Sequence, residues 1–380
     1  MEPTRTAHFP LFDGLRALAL LCVFVIHALY QPAVQSGQLH WWYVFGVHLD
    51  VGVPIFFGIS GFLLYRPFLA ARARGRSVRL KAYAWRRLLR TVPAYWVALT
   101  IVAIWFNLPE VRSLEGVLRF YGFAQIYSAE TALRGVGQAW TLNVEVAYYA
   151  VLPLIAWAIV KRPLAGTLGL IGLSIAYKCL ALTISDAAAP GFALWHYPLP
   201  TWLDHLGIGM LLAVLSVRGH RLGLVERHAW IAWGAALAFW LAACAVGPNG
   251  RTGYVTDPEY LARHLLYVLT VGCVLAPGVF GDPDRGLIRR FLASRPMAYI
   301  GTVSYSFYLI HFTLIAQFML WFTIPTTVFG WAWWLGATFA GGLLMAMIGY
   351  HWIERPFMDL KDRVPTRAPG MEAAQAKAAP

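Results

Sequence analysis

The residues best suited to chemistry in this chain are ionisable side chains inside long apolar segments. Arg16 and His27 lie in the first of these segments, eleven positions apart. At about 100° per residue, this spacing places both side chains on one face of a helix, roughly 16 Å apart along its axis. An imidazole at membrane depth can act as a general base, but it can also be a hydrogen-bonded packing residue. The spacing alone leaves both interpretations open.

A carboxylate, Glu145, lies in another apolar segment, about two helical turns after Gln138. A carboxylate at that depth must be paired or protonated. We expect Glu145 to lie at a depth similar to that of His27, where a histidine–carboxylate pair would orient the imidazole ring and raise its basicity. The alternative is a structural ion pair between Glu145 and a neighbouring cation.

The densest run of positive charge covers residues 66–90. Such a run commonly anchors a membrane protein against anionic lipid headgroups. It can also bind a phosphorylated ligand, because guanidinium groups match phosphate oxygens well. Composition alone favours the anchor.

Composition assigns these residues to a membrane protein. Hydrophobic residues make up 59% of the 380 residues and charged residues only 13%, whereas a soluble domain carries about 25% charged residues. A soluble monomer and a disordered chain are therefore both excluded. The formal net charge of +13 would suggest nucleic acid on a soluble protein. Here most of the basic residues fall in alternate loops, so we predict no nucleic-acid partner.

The elements that must position these residues are about ten membrane-spanning helices, and the predicted fold is an all-α bundle. Lys and Arg collect in cytoplasmic loops, which predicts that both chain termini are cytoplasmic. We expect one membrane domain over residues 1–357 and a disordered tail over 358–380. The predicted spans cover residues 11–30, 43–69, 88–106, 138–160, 164–183, 202–217, 229–247, 262–280, 297–321 and 331–353.

The second span contains Pro54, which we expect to kink or break the helix. We interpret Gly58, Ser60 and Gly61 in the same span as a close helix crossing. The cysteines lie singly in apolar segments, so neither a disulfide framework nor a metal site is predicted; they are Cys22, Cys179, Cys244 and Cys273.

Taken together, these segments resemble the bacterial membrane acyltransferase-3 family, and the similarities run in order from residue 11 to about 357. They are Arg16-x10-His27, FFGISGFLL at 56–64, RRLLRTVPAYW at 86–96, WTLNVEVAYY at 140–149, LPTWLDHLGIGM at 199–210, SYSFYLIHF at 304–312 and Glu354-Arg355-Pro356.

The resemblance implies an O-acyltransferase of the bacterial cytoplasmic membrane. It would move an acyl group, often acetyl, from cytosolic acyl-CoA to a hydroxyl of an extracytoplasmic or lipid-linked glycan. By carry-over, His27 is the catalytic histidine, Arg16 is its motif partner and Glu145 is the acidic residue. The arginines that would hold the CoA phosphates are Arg86, Arg87 and Arg90. Weaker candidates for contact with substrate are Asp50, Trp140, Asn143 and Tyr149.

The sequence departs from the family pattern at two positions. Pro54 stands where relatives often have an aspartate, and Val146 stands where a second acid usually follows the glutamate. The carboxylate role therefore rests on Glu145. Many relatives also append a soluble esterase-like domain, and we expect none here.

Three classes of function remain open at this point, and the first of them, an acyltransferase, has two alternative mechanisms. His27 could take a proton from the acceptor hydroxyl, or it could form an acyl-histidine intermediate. Buried ionisable residues beside a proline-interrupted helix would also suit an exporter of a glycan, a glycolipid or an acyl ester. A structural scaffold without chemistry ranks last, because ionisable residues at membrane depth are costly to retain.

Overall fold

The computed structural model describes residues 9–37, 43–185, 192–246 and 256–360. Every regular element within these ranges is a helix, which confirms the prediction of an all-α protein. Most of the predicted tail, residues 361–380, lies outside the described residues. The long helices are α1 (Leu11–Ser36), α2 (Gly52–Ala73), α3 (Leu80–Trp105), α4 (Trp140–Ala158), α5 (Pro163–Ile184), α6 (Leu203–Val217), α7 (Ala229–Ala245), α8 (Asp257–Val279), α9 (Arg295–Trp321) and α10 (Val328–Gly349).

Within the described ranges, nine candidate spans are long and apolar enough to cross a membrane. The one predicted span that is not among these nine, residues 229–247, corresponds to α7, an apolar helix of 17 residues. At a rise of 1.5 Å per residue, α7 is about 26 Å long, slightly shorter than a bilayer core of about 30 Å. The protein is therefore a multi-pass membrane protein, with α7 as a shorter apolar helix.

Short helices and turns connect these elements. Six of them extend candidate spans: Tyr43–Val47 and His48–Val51 precede α2, Gly137–Ala139 precedes α4, Leu199–Trp202 precedes α6, and the π-helical turn Tyr350–Glu354 and the helix Arg355–Asp359 follow α10. The others are Pro109–Val111, Leu114–Tyr121, Gln125–Tyr127, Phe192–His196, Gly223–Arg227 and Leu287–Leu292.

The predicted break near Pro54 is present, and it precedes the proline. The short helix Tyr43–Val47 gives way to a 3₁₀ turn at His48–Val51, and α2 begins at Gly52. Pro54 thus lies in the first turn of α2, where a backbone N–H has no partner within the helix. The proline therefore marks the start of α2 and does not kink its interior.

The glycines of α2 allow a close crossing with α6. A Cβ atom on Gly61 would overlap the backbone oxygen of Leu206, and one on Gly209 would overlap the backbone oxygen of Gly58. Small residues at membrane helix crossings let backbones approach closely. The predicted crossing is therefore present for Gly58 and Gly61.

Gly61→Ala is expected to destabilise the protein by about 1–3 kcal/mol, because the obstructing atom belongs to the backbone and cannot rotate away. Gly169→Ala on α5 is the matched control, since a Cβ there would meet no atom within 4 Å. Thermal unfolding in one detergent compares the two variants. Equal melting temperatures for both would contradict the close crossing.

A buried ionic network joins α5, α6 and α8, away from the arginines of α3. The Lys178 ammonium forms an ion pair with the Asp204 carboxylate, and both side chains are fully buried. His205 Nδ1 lies 2.9 Å and His264 Nε2 lies 3.1 Å from the carboxylate oxygens. Among the described residues, Asp204, His205 and His264 are the one group with spacing suited to a metal ion. Because Lys178 already neutralises the carboxylate, we interpret the group as an ion-pair network.

Candidate active site

A cavity of about 100 Å³ lies between α1, α2, α3, α4 and α9, and we refer to it as the main cavity because it holds the charged candidate residues. These helices belong to separate parts of the chain, so the cavity forms only when the bundle assembles. Its lining consists of Arg16, Val53, Phe56, Phe57, Ile59, Ser60, Leu63, Leu64, Arg87, Arg90, Thr91, Thr141, Leu142, Glu145, Tyr149, Ser304, Tyr305 and Tyr308.

The structure brings four of the predicted site residues together in this cavity. Arg16 enters from α1, Arg87 and Arg90 from one face of α3, and Glu145 from α4. Arg16 also forms an ion pair of 3.2 Å with Asp13. Its charge interacts with those of Arg87, Arg90 and Glu145, so the four groups share one electrostatic environment. The cavity thus combines charged groups with an apolar wall, as suits an amphipathic ligand.

Among the described residues, Glu145 and His27 do not form the expected pair. The carboxylate of Glu145 instead accepts a hydrogen bond of 2.8 Å from the hydroxyl of Ser60. Glu145 interacts electrostatically with Arg16, whereas His27 lies roughly 16 Å further along α1. The prediction of a pair between these two residues was therefore wrong, because Glu145 on α4 meets Ser60 of α2 and the charge of Arg16.

His27 contacts α9 and does not line the main cavity. Its Nδ1 lies 2.9 Å from Nε2 of His311. The ring of Phe312 meets the His27 ring edge to face, with 5.2 Å between the centroids. The side chain is partly buried, and two neighbouring residues of α9 contact it.

Tyr308 links the cavity to this histidine pair. It lines the cavity, and its ring centroid lies 5.6 Å from that of His311. The Tyr308 hydroxyl is 2.6 Å from the hydroxyl of Thr141 and donates a hydrogen bond of 2.7 Å to the carbonyl of Gln138. Tyr308 is thus a wall residue between the cavity and the two imidazoles.

A basic cleft continues from the cavity at the arginine-rich end of α3. Arg87, Leu63 and Leu64 line both spaces, which makes the cleft and the cavity neighbours. Arg79 and Arg86 add further positive charge, and the described lining of the cleft contains no Asp or Glu. The Nε of Arg87 is buried and has no hydrogen-bond partner among the described residues. A buried donor without a partner is costly, so this arrangement favours an anionic ligand.

The three arginines predicted to bind CoA are therefore distributed along this path. Arg86 lines only the basic cleft, Arg87 lines both spaces, and Arg90 lines only the cavity. The guanidinium group of Arg87 also lies 5.9 Å from the ring centroid of Tyr149. Since Tyr149 lines the cavity, this contact holds the guanidinium group against the cavity wall.

Of the four weaker candidates for substrate contact, only Tyr149 lines the cavity. Asp50 accepts a hydrogen bond of 2.5 Å from the hydroxyl of Tyr267. Trp140 stacks on Tyr197 with 4.7 Å between ring centroids. The Asn143 amide donates a hydrogen bond to the carbonyl of Ala139, the residue just before α4.

Sequence reasoning missed four residues of this region. Ser60 was interpreted as a packing residue, and Tyr308 and His311 were noticed only as part of the segment 304–312. Glu354 is 2% exposed and accepts a hydrogen bond of 3.0 Å from Ser306, close enough to Arg90 for their charges to interact. Each is polar and lies in a segment already singled out, but only the packing of α2, α9 and the π-helical turn shows where it points.

Comparisons with known proteins agree with this architecture. A family model described as an acyltransferase domain matches residues 10–351. The "Putative membrane-bound transacylase BcsY" of Komagataeibacter xylinus is 26% identical over 382 residues, which cover 95% of this chain and 86% of that protein.

Two further relatives are named for peptidoglycan. The "Putative peptidoglycan O-acetyltransferase YrhL" of Bacillus subtilis is 24% identical over 374 residues, covering 92% of this chain and 55% of that protein. The "Peptidoglycan O-acetyltransferase OatA" of Listeria monocytogenes is 24% identical over 330 residues, covering 81% and 49%. The chain thus spans about half the length of these two relatives. No solved structure matches it.

Proposed function

The chain belongs to the acyltransferase family whose model matches residues 10–351, and we propose that it is a bacterial membrane O-acyltransferase that moves an acetyl group from acetyl-CoA to a glycan hydroxyl. One observation carries the proposal: the basic cleft opens beside a cavity that ends near a pair of histidines. An acyl-CoA has phosphates at one end and a thioester at the other, and this arrangement matches that polarity.

The donor enters from the arginine-rich end, which the charge distribution assigns to the cytosol. The phosphates of CoA bind Arg79, Arg86 and Arg87 in the cleft, because guanidinium groups form paired hydrogen bonds with phosphate oxygens. The pantetheine arm then extends past Leu63 and Leu64 into the cavity, with Arg90 and Arg16 beside it. The thioester approaches Tyr308, the wall residue nearest to the histidine pair.

The acceptor hydroxyl arrives from the opposite side of the membrane. His27 takes the hydroxyl proton as general base while the oxygen forms a bond to the acyl carbon. The carbon–sulfur bond breaks, and the CoA thiolate receives the proton that His27 holds. Tyr308 lies between the cavity and His311, the hydrogen-bond partner of His27, so the acyl group reaches His27 only when the Tyr308 side chain moves. CoA thus stays on one side of the membrane throughout.

The acceptor class follows from the relatives' names, two of which specify peptidoglycan. The test therefore supplies purified protein in nanodiscs with acetyl-CoA and three acceptors: peptidoglycan fragments, a lipid-linked oligosaccharide and a soluble polysaccharide. We expect free-thiol release that depends on one acceptor, together with an acetylated product by mass spectrometry. Transport of unmodified glycan into proteoliposomes, without thiol release for any acceptor, would instead establish an exporter.

Arg87→Ala is expected to weaken acetyl-CoA binding by about 10- to 100-fold, since hydrogen bonds to charged groups contribute about 1.5–3 kcal/mol. Arg87 is the arginine that lines both the cleft and the cavity. Isothermal titration with acetyl-CoA measures the change. Arg221→Ala is the matched control, because Arg221 is exposed and lines neither space. The same affinity in both variants would contradict the proposed path.

A further inference from the structure

The hydrogen bonds of His311 determine where that residue carries its proton. His311 is 1% exposed on α9. Its Nδ1 lies 2.8 Å from the carbonyl oxygen of Tyr308 and 3.3 Å from that of Phe307. A carbonyl oxygen only accepts hydrogen bonds, so Nδ1 must be the donor. In a neutral imidazole the other nitrogen, Nε2, then carries a lone pair.

The tautomer of His311 in turn determines the tautomer of His27. The Nε2 of His311 lies 2.9 Å from Nδ1 of His27. Because Nε2 of His311 accepts, Nδ1 of His27 must donate. A neutral His27 therefore has its lone pair on Nε2, the nitrogen that points away from His311. This is the protonation state that a general base requires.

We infer that His311 is the positioning residue of His27: it selects the tautomer with a basic Nε2 and holds the ring in place while Nε2 gains and loses the acceptor's proton. The inference rests on the proposed function, in which His27 is the base. When Nε2 of His27 takes the hydroxyl proton, the ring becomes a cation and its Nδ1–H bond to His311 becomes charge-assisted and stronger. The proton leaves Nε2 for the CoA thiolate, and both histidines return to their starting state.

Aromatic rings pack against both imidazoles. Phe307 stacks on His311 with 5.9 Å between centroids and an interplanar angle of 20°. Phe312 meets His27 at 89°, and Phe24 packs edge to face on Phe307. These contacts come from the same two helices, α1 and α9, which pack against each other. The pair is thus fixed by packing as well as by hydrogen bonds.

Two variants separate positioning from packing. His311→Gln places an acceptor oxygen near the position of Nε2, whereas His311→Met fills a similar space without an acceptor. We expect His311→Met to lower kcat by about 10²-fold or more. The kcat of His311→Gln should be at least about tenfold higher than that of His311→Met. Acetyl-CoA affinity should be unchanged in both, because His311 lies outside the cavity and the cleft.

A spectroscopic measurement tests the tautomer directly and does not depend on whether the His311 variants fold. Nitrogen-15 NMR of histidine-labelled wild-type protein in nanodiscs, compared with His27→Ala, identifies the His27 resonances. We expect a protonated Nδ1 and an unprotonated Nε2 on His27. A proton on Nε2 of neutral His27, a doubly protonated His311, or full kcat in His311→Met would overturn the inference. Full activity of His27→Ala would instead overturn the proposed function itself.

Discussion

Replacing His27 with alanine is expected to lower the rate of acetyl transfer by about 10²- to 10⁴-fold, the usual contribution of a positioned general base. That loss corresponds to about 3–5 kcal/mol of transition-state stabilisation. The physical reason is that Glu145, the one carboxylate among the described residues that line the cavity, accepts a hydrogen bond from Ser60 and forms no pair with His27, so it does not replace the basic nitrogen. Acceptor-dependent thiol release from acetyl-CoA measures the effect.

The control for His27→Ala must remove a histidine without touching the site. His220→Ala serves this purpose, because His220 is exposed in the loop after α6. Acetyl-CoA affinity should be unchanged in His27→Ala, since the Arg87 side chain and the cleft are intact. Wild-type turnover in a folded His27→Ala protein would rule out the role of His27.

Replacing Asp204 with asparagine is expected to reduce the free energy of unfolding by about 3–5 kcal/mol, because it leaves the fully buried Lys178 ammonium without its counter-charge. Lys178→Met should cost less, since His205 and His264 still donate hydrogen bonds to the carboxylate. The double variant, Lys178→Met with Asp204→Asn, should recover most of the stability lost in Asp204→Asn. Removing both charges of a buried pair is often nearly neutral.

Unfolding in a defined detergent, followed by tryptophan fluorescence, measures this cycle. The comparison isolates the ion pair because Lys178 and Asp204 are in direct contact and each single variant removes one charge. Metal analysis of the purified protein is the accompanying control. A stoichiometric metal ion, or a double variant as unstable as Asp204→Asn, would contradict the interpretation as an ion-pair network.

The fold was largely accessible to sequence reasoning because a lipid environment imposes simple requirements. A helix must satisfy its own backbone hydrogen bonds and present about 20 apolar residues, and both features are visible along the chain. The exception is α7, where 17 helical residues were predicted as a full span. The break before α2 was also predictable, because Pro54 cannot donate a backbone hydrogen bond.

Only part of the candidate site could be predicted from the sequence. Arg16 stands out as a charge in an apolar segment, whereas Arg87 and Arg90 were identified through the resemblance to a family motif, and all three line the main cavity. The partner of His27 was predicted wrongly. Glu145 was chosen on estimated depth alone, and depth along one helix says nothing about the angle at which another helix crosses it.

By itself, the sequence determined the helices, their number within one, and the ionisable residues that each carries, because these depend on local composition and periodicity. Only the tertiary structure decided which of these residues meet. The bond between His27 and His311 joins positions 284 residues apart, and the bond between Ser60 and Glu145 joins positions 85 apart. Such contacts depend on how helices pack, which is set by the fit of many side chains across α1, α2, α4 and α9 and not by any short pattern within one of them.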